Sequence, residues 1–372
     1  MKTGYFCIDC ELTGKYMETK NAGFNPDSNE PKKGSALTVI VPAYNEGACI
    51  EDTIKSIQTQ TVPPAEIIVI DDFSSDCTGE VAGKCGVTVL RPPSNTGSKA
   101  GAQNFALKTV HTPYVMAIDA DTTLAPDAIE KLLPALDDPK IAAACGFVVP
   151  RRVKTLWERG RYIEYVFAFT FYKQIQDYYG KPMISSGCFS VYRTDILKAN
   201  GGWSTRTMAE DMDLTWSFYH SGHGVRFVPE AVCYPIEPHN FHFMSKQLRR
   251  WSHGFVQNVR LHWRQVLDIP VLRSMVAVAL FDATVASLAY MILLPLLAVF
   301  VNPLFLLAYL IDIPAMVVPV LYKAARRKEV CLALTSLPGF LVLRLVNGVF
   351  LLNALWLEMV VNKPLKVYEK GH

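Results

Sequence analysis

Two carboxylates separated by one residue follow an apolar run near the middle of the first 250 residues. Asp119 and Asp121 come directly after residues 114–118, whose sequence YVMAI is typical of a buried strand. In the loop after such a strand both side chains can turn toward one cation, and oxygen ligands of this kind suit Mg²⁺ or Mn²⁺. A divalent cation there would stabilise negative charge on a departing diphosphate. The alternative is a solvated loop that carries two acids by chance, and these residues alone do not decide.

A second pair of acids, Asp71 and Asp72, follows the four apolar residues 67–70. A carboxylate at this place could accept the imide N–H of a uracil ring, and Tyr44 could offer an aromatic face for stacking. The next residues, 74–78, include serine, aspartate and threonine and are equally suited to cap a helix. Both interpretations, a nucleobase site and a helix cap, stay open for this pair.

Lys99 begins a predicted helix, and Gly97 and Gly101 lie close to it in the sequence. An ammonium group beside the free backbone N–H groups of a helix N-terminus suits a diphosphate. The alternative is an exposed lysine next to glycines that allow close helix packing.

Glu210 and Asp211 stand in the sequence MAEDMDLTW, at the predicted start of another helix. A carboxylate here could act as a general base and take the proton of an attacking hydroxyl group. Acids in a first helical turn are also common because they interact favourably with the helix dipole. The position alone is compatible with either role.

These residues need a scaffold, and the first 250 residues supply alternating strands and helices. Strands are predicted at residues 37–42, 66–70, 87–90 and 114–118, and helices at 48–60 and 98–110. This alternation predicts an α/β fold with a mostly parallel sheet flanked by helices. Ligands of such sheets bind at the carboxyl ends of the strands, and residues 42–46, 71–72 and 119–121 all fall there.

The order of the motifs is more specific than any one of them. Along the chain come PAYNE (42–46), DDFSSDCT (71–78), KAGAQN (99–104), DADT (119–122), SGCFSVYR (186–193), AED (209–211) and QLRRW (247–251). This order resembles the family 2 glycosyltransferases, in particular the membrane-bound branch with the cellulose, chitin, hyaluronan and poly-N-acetylglucosamine synthases. The resemblance covers about residues 37–265 and continues more weakly toward the C-terminus.

The resemblance implies a GT-A-like (Rossmann-like) fold and a hexosyltransferase that depends on Mg²⁺ or Mn²⁺. The expected donor is a UDP-sugar, and the expected acceptor is a glycan or glycolipid. A single base opposite the leaving UDP implies inversion, so that an α-linked donor gives a β-linkage. The expected process is polysaccharide or oligosaccharide synthesis.

Two other functions remain as alternatives. The first is a single transfer to a lipid carrier or glycolipid, which the small membrane region favours because two or three helices cannot enclose a pore alone. An inactive membrane scaffold is disfavoured because every expected acidic residue is present.

The resemblance also assigns roles to individual residues. At the nucleotide it places Pro42, Tyr44, Glu46, Asp71, Asp72, Lys99, Asp119, Gln247 and Arg250. At the metal it places Asp119 and Asp121. The expected catalytic base is Asp211, with Glu210 beside it. Trp251 is expected to stack on the acceptor sugar, and the residues expected to shape the acceptor pocket are Ser186, Gly187 and Cys188.

Long apolar stretches follow residue 268 and predict a membrane region. Residues 252–268 mix aromatic and basic side chains, which favours an interfacial helix on the cytosolic leaflet over a soluble amphipathic helix. Two spans are predicted near 275–300 and 303–322, hinged at Asn302–Pro303, because each has about 20 apolar residues. The cations between residues 323 and 328 then mark the cytosolic side.

The last apolar stretch, residues 330–361, is long enough for one span, but Pro338–Gly339 divides it. Polar residues also recur in its second part, at Arg344, Asn347, Asn353 and Glu358. Polar groups at bilayer depth are costly, and a single span would send the lysine-bearing tail outside. A re-entrant or interfacial arrangement that returns the tail to the cytosol is therefore predicted.

The expected organisation has four parts: a lead-in (1–36), a cytosolic catalytic domain (37–245), the QxxRW segment with its interfacial helix (246–270), and a membrane region with a cytosolic tail (271–372). No signal sequence is visible, so the catalytic domain is expected in the cytosol at a bacterial-type plasma membrane. The net charge of +3 gives no reason to expect nucleic-acid binding. The nine cysteines show no disulfide framework, and the Cys7–Cys10 pair lacks a matching second pair for zinc. Homo-oligomerisation stays open.

Overall fold

The computed structural model describes residues 36–311 and 313–366, and it is built around an eight-stranded sheet. The strands are β1 (Leu37–Ala43), β2 (Glu66–Asp71), β3 (Thr88–Leu90), β4 (Tyr114–Ile118), β5 (Thr123–Leu124), β6 (Ile141–Val148), β7 (Phe189–Arg193) and β8 (Gly224–Tyr234). Their order is β3-β2-β1-β4-β7-β6-β8-β5. Neighbours from β3 to β4 are parallel, as are β6 and β8, whereas β7 is antiparallel to both of its neighbours. The predicted α/β fold with a mostly parallel sheet is confirmed.

Helices cover the sheet and then extend beyond it. The α-helices are α1 (Ile50–Gln58), α2 (Thr78–Lys84), α3 (Lys99–Leu107), α4 (Ala128–Leu132), α5 (Leu156–Phe167), α6 (Lys173–Tyr178), α7 (Thr194–Ala199), α8 (Glu210–His220), α9 (Phe241–Asp268), α10 (Pro270–Phe281), α11 (Leu294–Phe300), α12 (Ile313–Arg327) and α13 (Val330–Leu355). Short 3-10 helices occupy Leu133–Leu136 and Pro303–Leu310, and π-helical turns occupy Ala168–Tyr172, Asp282–Ala286, Ala289–Leu293 and Trp356–Val360.

Alternate residues of the central strands pack into two cores, one on each face of the sheet. Val39 and Val41 of β1 belong to one core together with Ile54 of α1. Ile40, between them in the sequence, belongs to the other core together with Ala106 of α3. All five side chains are fully buried. A strand with helices on both faces has no polar side, which is why 37–42 is a continuous apolar run.

The QLRRW motif lies in α9, a single helix of 28 residues that continues through the stretch 252–268. Asn240 caps this helix, because its side-chain oxygen accepts the N–H of Phe243 at 3.0 Å. Leu248 packs inward, whereas Trp263 and Leu267 are half-exposed. The helix is amphipathic, as the interfacial interpretation requires, and its contact with lipid stays a prediction.

The buried carboxylate of Asp213 joins α8 to α9. It accepts two hydrogen bonds of 2.8 Å from the Arg206 guanidinium and lies 2.6 Å from Nε2 of His262. Burial alone would raise the pKa of Asp213, but the hydrogen bonds from His262 and Arg206 outweigh it and lower that pKa. Trp216 meets the His262 ring edge to face at 5.7 Å. These contacts fix α8, which begins with Glu210, against the helix that carries QLRRW.

Among the residues that the structure describes, two helices are long and apolar enough to cross a membrane. They are Pro270–Phe300 and Val330–Val360, each of 31 residues, with mean hydropathies of 2.2 and 1.9. The predicted span 303–322 is not one apolar helix: a 3-10 helix is followed by α12, which has 15 residues. Met316 and Val320 of α12 are buried in a core of the catalytic domain. The segment 303–322 therefore packs against the catalytic domain and does not form a second apolar span.

The predicted division of 330–361 at Pro338–Gly339 is wrong, because α13 runs through both residues. Gly339 packs directly on α5, where an added Cβ would lie 2.6 Å from the carbonyl oxygen of Leu156. Two of the polar residues that argued against a single helix, Asn347 and Glu358, bind side chains of α5 and α9, whereas Arg344 lies 3.5 Å from Asp282 and Asn353 is exposed. Asn347, for example, donates to Oε1 of Glu164 at 3.0 Å.

Both ends of α13 are bound to the catalytic domain. At its start, Glu329 accepts the hydroxyl hydrogen of Tyr162 at 2.9 Å. At its far end, Glu358 lies 2.6 Å from Nδ1 of His253. The helix thus lies along α5 and α9 over its whole length. The lead-in up to residue 35, with the Cys7–Cys10 pair, and the tail beyond residue 366 lie outside the described residues.

Candidate active site

A cavity of about 780 Å³ lies at the carboxyl ends of the parallel strands. Its wall is formed by the loops after β1, β2 and β4, the first turns of α3 and α8, and one side of α9. The predicted site residues that line it are Pro42, Tyr44, Glu46, Asp72, Lys99, Asp119, Asp121, Ser186, Gly187, Cys188, Glu210, Asp211, Gln247, Arg250 and Trp251. The structure thus brings together residues from well-separated stretches of chain.

Asp71 is the predicted site residue that lies behind the cavity wall instead of lining it. Its carboxylate accepts the N–H of Ser74 at 2.9 Å and forms an ion pair of 2.5 Å with Arg91. Space around it is tight, because a Cβ on Gly79 would lie 2.6 Å from Oδ2. Asp71 anchors the loop after β2, and neither member of the Asp71–Asp72 pair caps α2, whose N-cap is Cys77.

Asp72 faces the cavity, but Thr96 already holds both of its carboxylate oxygens. The Thr96 N–H donates to Oδ1 at 2.8 Å, and the Thr96 hydroxyl group donates to Oδ2 at 2.9 Å. Asn95 donates to the Asp72 carbonyl oxygen at 2.8 Å. These bonds fix the loop before α3, and Tyr44 remains 45% exposed at the cavity mouth, where its ring can be stacked upon.

Lys99 opens α3, as predicted, and its ammonium group points across the cavity to another loop. It forms an ion pair with Asp119 and donates to the carbonyl oxygen of Gly187 at 2.9 Å. The N-cap of the helix is Ser98, which accepts the N–H of Gly101 at 3.1 Å. Lys99 therefore connects the first acid of the DxD sequence to the loop before β7.

A tight turn after β4 directs Asp119 and Asp121, the two acids of the sequence DADT, toward the cavity. The N–H of Asp119 donates to the carbonyl oxygen of Cys188 at 3.3 Å, and the N–H of Thr122 donates to the carbonyl oxygen of Asp119 at 3.1 Å. The Thr53 hydroxyl group of α1 donates to the carbonyl oxygen of the middle residue at 2.7 Å. Both carboxylates line the cavity, and Asp121 is 8% exposed.

Glu210 and Asp211 begin α8 and face the same space. Asp211 accepts the N–H of Gly187 at 2.9 Å, which orients its carboxylate. Burial raises the pKa of Glu210, and the neighbouring charge of Asp211 adds to that rise. The charges of Lys99 and Arg250 act in the opposite direction. The first turn of α8 thus holds two acids in different environments.

Arg161 of α5 is fully buried under the QLRRW motif, and the motif order does not point to it. It donates to Oε1 of Gln247 at 2.6 Å, and its guanidinium lies 4.5 Å from the centre of the Trp251 ring. It is also paired with Glu164 and, at 3.5 Å, with Glu237. One face of Trp251 is therefore covered by Arg161, and an acceptor sugar would have to use what remains of the ring.

Glu164 and Glu237 line the cavity near this arginine and were also missed. Burial raises the pKa of Glu237, while the charge of Arg161 opposes the rise. Tyr165 donates its hydroxyl hydrogen to Glu237 at 2.9 Å. Glu164 stands in the sequence WERGRYIEY, where mixed charges at helical spacing are typical of a solvated face. Only the packing of α5 beneath α9 shows that Arg161, Glu164 and Glu237 form a cluster at the cavity and are not part of a solvated helix face.

The cavity carries more negative than positive charge. Its lining acids are Glu46, Asp72, Asp119, Asp121, Glu164, Glu210, Asp211 and Glu237, and its lining cations are Lys99, Lys173 and Arg250. An anionic diphosphate would be repelled from such a site unless further positive charge entered with it. Two carboxylates on one turn are suitable oxygen ligands for Mg²⁺ or Mn²⁺. Within residues 36–311 and 313–366 no three acids, histidines or cysteines form a metal site alone, so diphosphate and water would supply the other ligands.

The sequence of this chain is similar to those of known glycosyltransferases. Residues 38–201 match the family described as glycosyl transferase family 2. Over 254 residues the chain is 28% identical to the poly-β-1,6-N-acetyl-D-glucosamine synthase of Staphylococcus aureus (strain COL), an alignment that covers 67% of this chain and 60% of the relative. The synthase of Staphylococcus epidermidis is 28% identical over 247 residues, which cover 64% of this chain and 60% of that protein. The match thus spans about 60% of the length of these curated relatives.

Among solved structures, a mannosyltransferase from Pyrobaculum calidifontis in complex with GDP-mannose and Mn²⁺ superposes with a TM-score of 0.56. The match covers 89% of both chains at 19% sequence identity, and it confirms the GT-A-like fold. Residues 38–201 thus match glycosyl transferase family 2, and over a longer stretch the chain is similar to the poly-β-1,6-N-acetyl-D-glucosamine synthases.

The close approach of Gly187 to Asp211 gives a direct test of the site. A Cβ at Gly187 would lie 2.6 Å from Oδ2 of Asp211, so Gly187→Ala must displace that carboxylate. Misplacing a catalytic group by about 1 Å costs roughly 100-fold in rate, so we expect nucleoside diphosphate release to fall by at least tenfold. The matched control is Gly83→Ala in α2, where nothing lies within 4 Å of the added Cβ. Equal rates and equal unfolding temperatures for the two variants would contradict the placement of Asp211.

Proposed function

We propose that this chain is a membrane-attached, inverting glycosyltransferase that moves a sugar from a UDP-sugar to an acceptor hydroxyl group. One observation carries the proposal: acids and cations from separate loops face a single cavity at the sheet edge. The residues that matter most are Asp72, Lys99, Asp121, Asp211 and Trp251. A nucleotide, a diphosphate, a general base and an aromatic platform for a sugar would each find a partner there.

In the proposed reaction Asp211 takes the proton of the acceptor hydroxyl group. A bond forms between the acceptor oxygen and the anomeric carbon as the bond from that carbon to the diphosphate oxygen breaks, and UDP leaves with the electron pair. A single displacement inverts the anomeric carbon, so an α-linked donor gives a β-linked product. The Gly187 N–H supports the proposal, because its hydrogen bond of 2.9 Å leaves Asp211 with a fixed direction.

The departing UDP would be stabilised by positive charge around the diphosphate. Arg250 offers a planar set of N–H donors, and Lys99 offers an ammonium group at a helix N-terminus. Asp119 and Asp121 would hold a divalent cation, which when bound neutralises charge on the diphosphate oxygens. This proposal accounts for the excess of carboxylates in the cavity wall.

The relatives suggest which donor to test first. Because they are poly-β-1,6-N-acetyl-D-glucosamine synthases, we propose UDP-N-acetylglucosamine and the extension of a β-linked polysaccharide or oligosaccharide. Protein in detergent or nanodiscs would be incubated with UDP-N-acetylglucosamine, UDP-glucose, UDP-glucuronate and, for comparison, GDP-mannose. UDP release from none of the UDP-sugars would refute the donor class. A product with one added sugar on a lipid would refute repeated addition and would show that the enzyme adds a single sugar.

Asp211→Asn tests the assignment of the base. An amide cannot accept the acceptor proton, so kcat should fall about 100-fold or more, whereas UDP affinity should stay within a few-fold of wild type. The control is Asp195→Asn, an exposed acid in the first turn of α7. UDP release and isothermal calorimetry with UDP measure the two quantities. Turnover of Asp211→Asn at the control rate would show that another group is the base.

Asp121→Ala tests the proposed metal ligands without relying on turnover. In wild type, UDP should bind more tightly when Mg²⁺ or Mn²⁺ is present, and this gain should disappear in the variant because one of two protein ligands is lost. The exposed Asp138 provides the control variant, Asp138→Ala, which should keep the gain. Titration of UDP with and without metal gives the comparison, and a metal-dependent gain of wild-type size in Asp121→Ala would exclude it as a ligand.

We also propose that the catalytic domain faces the cytosol and that both ends of α13 lie on that side. The support is that Glu329 and Glu358 both bind the catalytic domain, and that cations cluster between residues 323 and 328. Single-cysteine variants that retain Cys331 or carry Lys366→Cys should both react with an impermeant thiol reagent in inside-out vesicles. Labelling of the two positions from opposite sides would mean that α13 crosses the bilayer.

A further inference from the structure

Gln257 of α9 is bound to parts of the chain that are far apart in sequence. Its Oε1 accepts the N–H of Met208 at 2.9 Å. Its Nε2 donates to Oε1 of Glu358 at 2.7 Å and to the carbonyl oxygen of Leu365 at 3.0 Å. A carboxamide offers one oxygen acceptor and two N–H donors, and each of these functions is used.

The Met208 end of this contact belongs to the loop that leads into α8. Met208 stands two residues before Glu210. The next residue of α9, Asn258, donates to the carbonyl oxygen of Ala209 at 3.0 Å. Gly254 approaches the same loop so closely that a Cβ there would lie 2.8 Å from the Ala209 nitrogen. One side of α9 therefore fixes the backbone directly before the proposed catalytic acids.

The other end belongs to the C-terminal helix and the residues after it. Glu358 is 1% exposed, and its Oε1 lies 2.6 Å from Nδ1 of His253 and accepts the N–H of Leu365 at 3.1 Å. Arg260 donates to the Glu358 carbonyl oxygen at 3.2 Å. The end of the candidate membrane helix Val330–Val360 is thus bound to the same turns of α9 that hold the Met208 loop.

We propose that Gln257 is a positioning residue, which makes the placement of the loop before Glu210 and Asp211 depend on the seating of the C-terminal helix. Two of its three hydrogen bonds go to Glu358 and Leu365, so without them the carboxamide can rotate away from Met208. The inference rests on the proposed function for the identity of the base, but the structural link itself does not. A disturbance at the membrane helix would then reach the active site through one side chain.

The first test is Gln257→Glu. The glutamate keeps an acceptor for the Met208 N–H, loses both donors, and brings a second carboxylate next to Glu358. The matched control is Gln265→Glu, the same charge change two turns later on α9, at a side chain that carries no comparable link. We expect kcat to fall about tenfold relative to the control, with an unchanged KM for the donor, because a displaced base affects the transition state.

The second test exchanges the two partners. Gln257→Glu combined with Glu358→Gln removes the two facing carboxylates and restores a donor and an acceptor in reversed order, although the Leu365 N–H then loses the atom that accepts it in wild type. We expect kcat to return to within about threefold of wild type, a rescue that general destabilisation would not produce. If Gln257→Glu alone has a lower unfolding temperature than the control, the kcat of the exchanged pair distinguishes a lost positioning contact from general destabilisation.

Amide hydrogen exchange of residues 205–211 provides a measurement that needs no turnover. It should be faster in Gln257→Glu than in Gln265→Glu, and slow again in the exchanged pair. Equal exchange and equal kcat in the two single variants would overturn the proposal, as would an exchanged pair no better than Gln257→Glu. A wild-type protein without UDP release would instead refute the proposed function, and hydrogen exchange would still test the link.

Discussion

The site depends on one constraint, which is that several carboxylates must stay ionised close together in one cavity. Carboxylates lining a half-closed cavity lose hydration and repel one another, which disfavours their ionised forms. The protein counters this by giving each acid a donor. Thr96 supplies both of its donors to Asp72, and the Gly187 N–H binds Asp211. Where such donors are weaker, as at Glu210, burial raises the pKa.

The sheet explains how these donors reach the acids. Parallel strands end at one edge, so the loops after β1, β2 and β4 meet there by topology alone. The antiparallel β7 adds a further backbone segment to this edge. The loop before β7 brings Gly187 between the first turn of α3 and the first turn of α8. The carbonyl oxygen of Gly187 accepts from Lys99, and its N–H binds Asp211. One glycine thus connects Lys99 with the proposed base, and its missing side chain makes the close approach to Asp211 feasible.

Local patterns in the sequence predicted β1 to β4 and the residues that follow them at the sheet edge, because each of these strands and the polar residues after it are contiguous, whereas β5 to β8 were not predicted. What depends on packing between distant segments was missed. Arg161 and Glu164 share a helix whose charges look solvated, and only the packing of α5 beneath α9 places Glu164 in the cavity wall and buries Arg161 against Gln247. Asp71 shows the opposite failure, since its motif placed it at the nucleotide while Arg91, distant in sequence, holds it in the loop. The division of α13 at Pro338 failed because a glycine contact with α5 stabilises a continuous helix.

The same packing changes how the apolar C-terminal region should be understood. A helix with a mean hydropathy of 1.9 would ordinarily be treated as an anchor that contributes nothing to chemistry. Here two of its polar residues bind the rest of the chain: Asn347 binds Glu164 in the cavity wall, and Glu358 binds the helix that carries QLRRW. A polar group on an apolar helix is costly in lipid but satisfied against protein, so these residues select one orientation of the helix. One side of this helix is therefore part of the geometry of the catalytic domain.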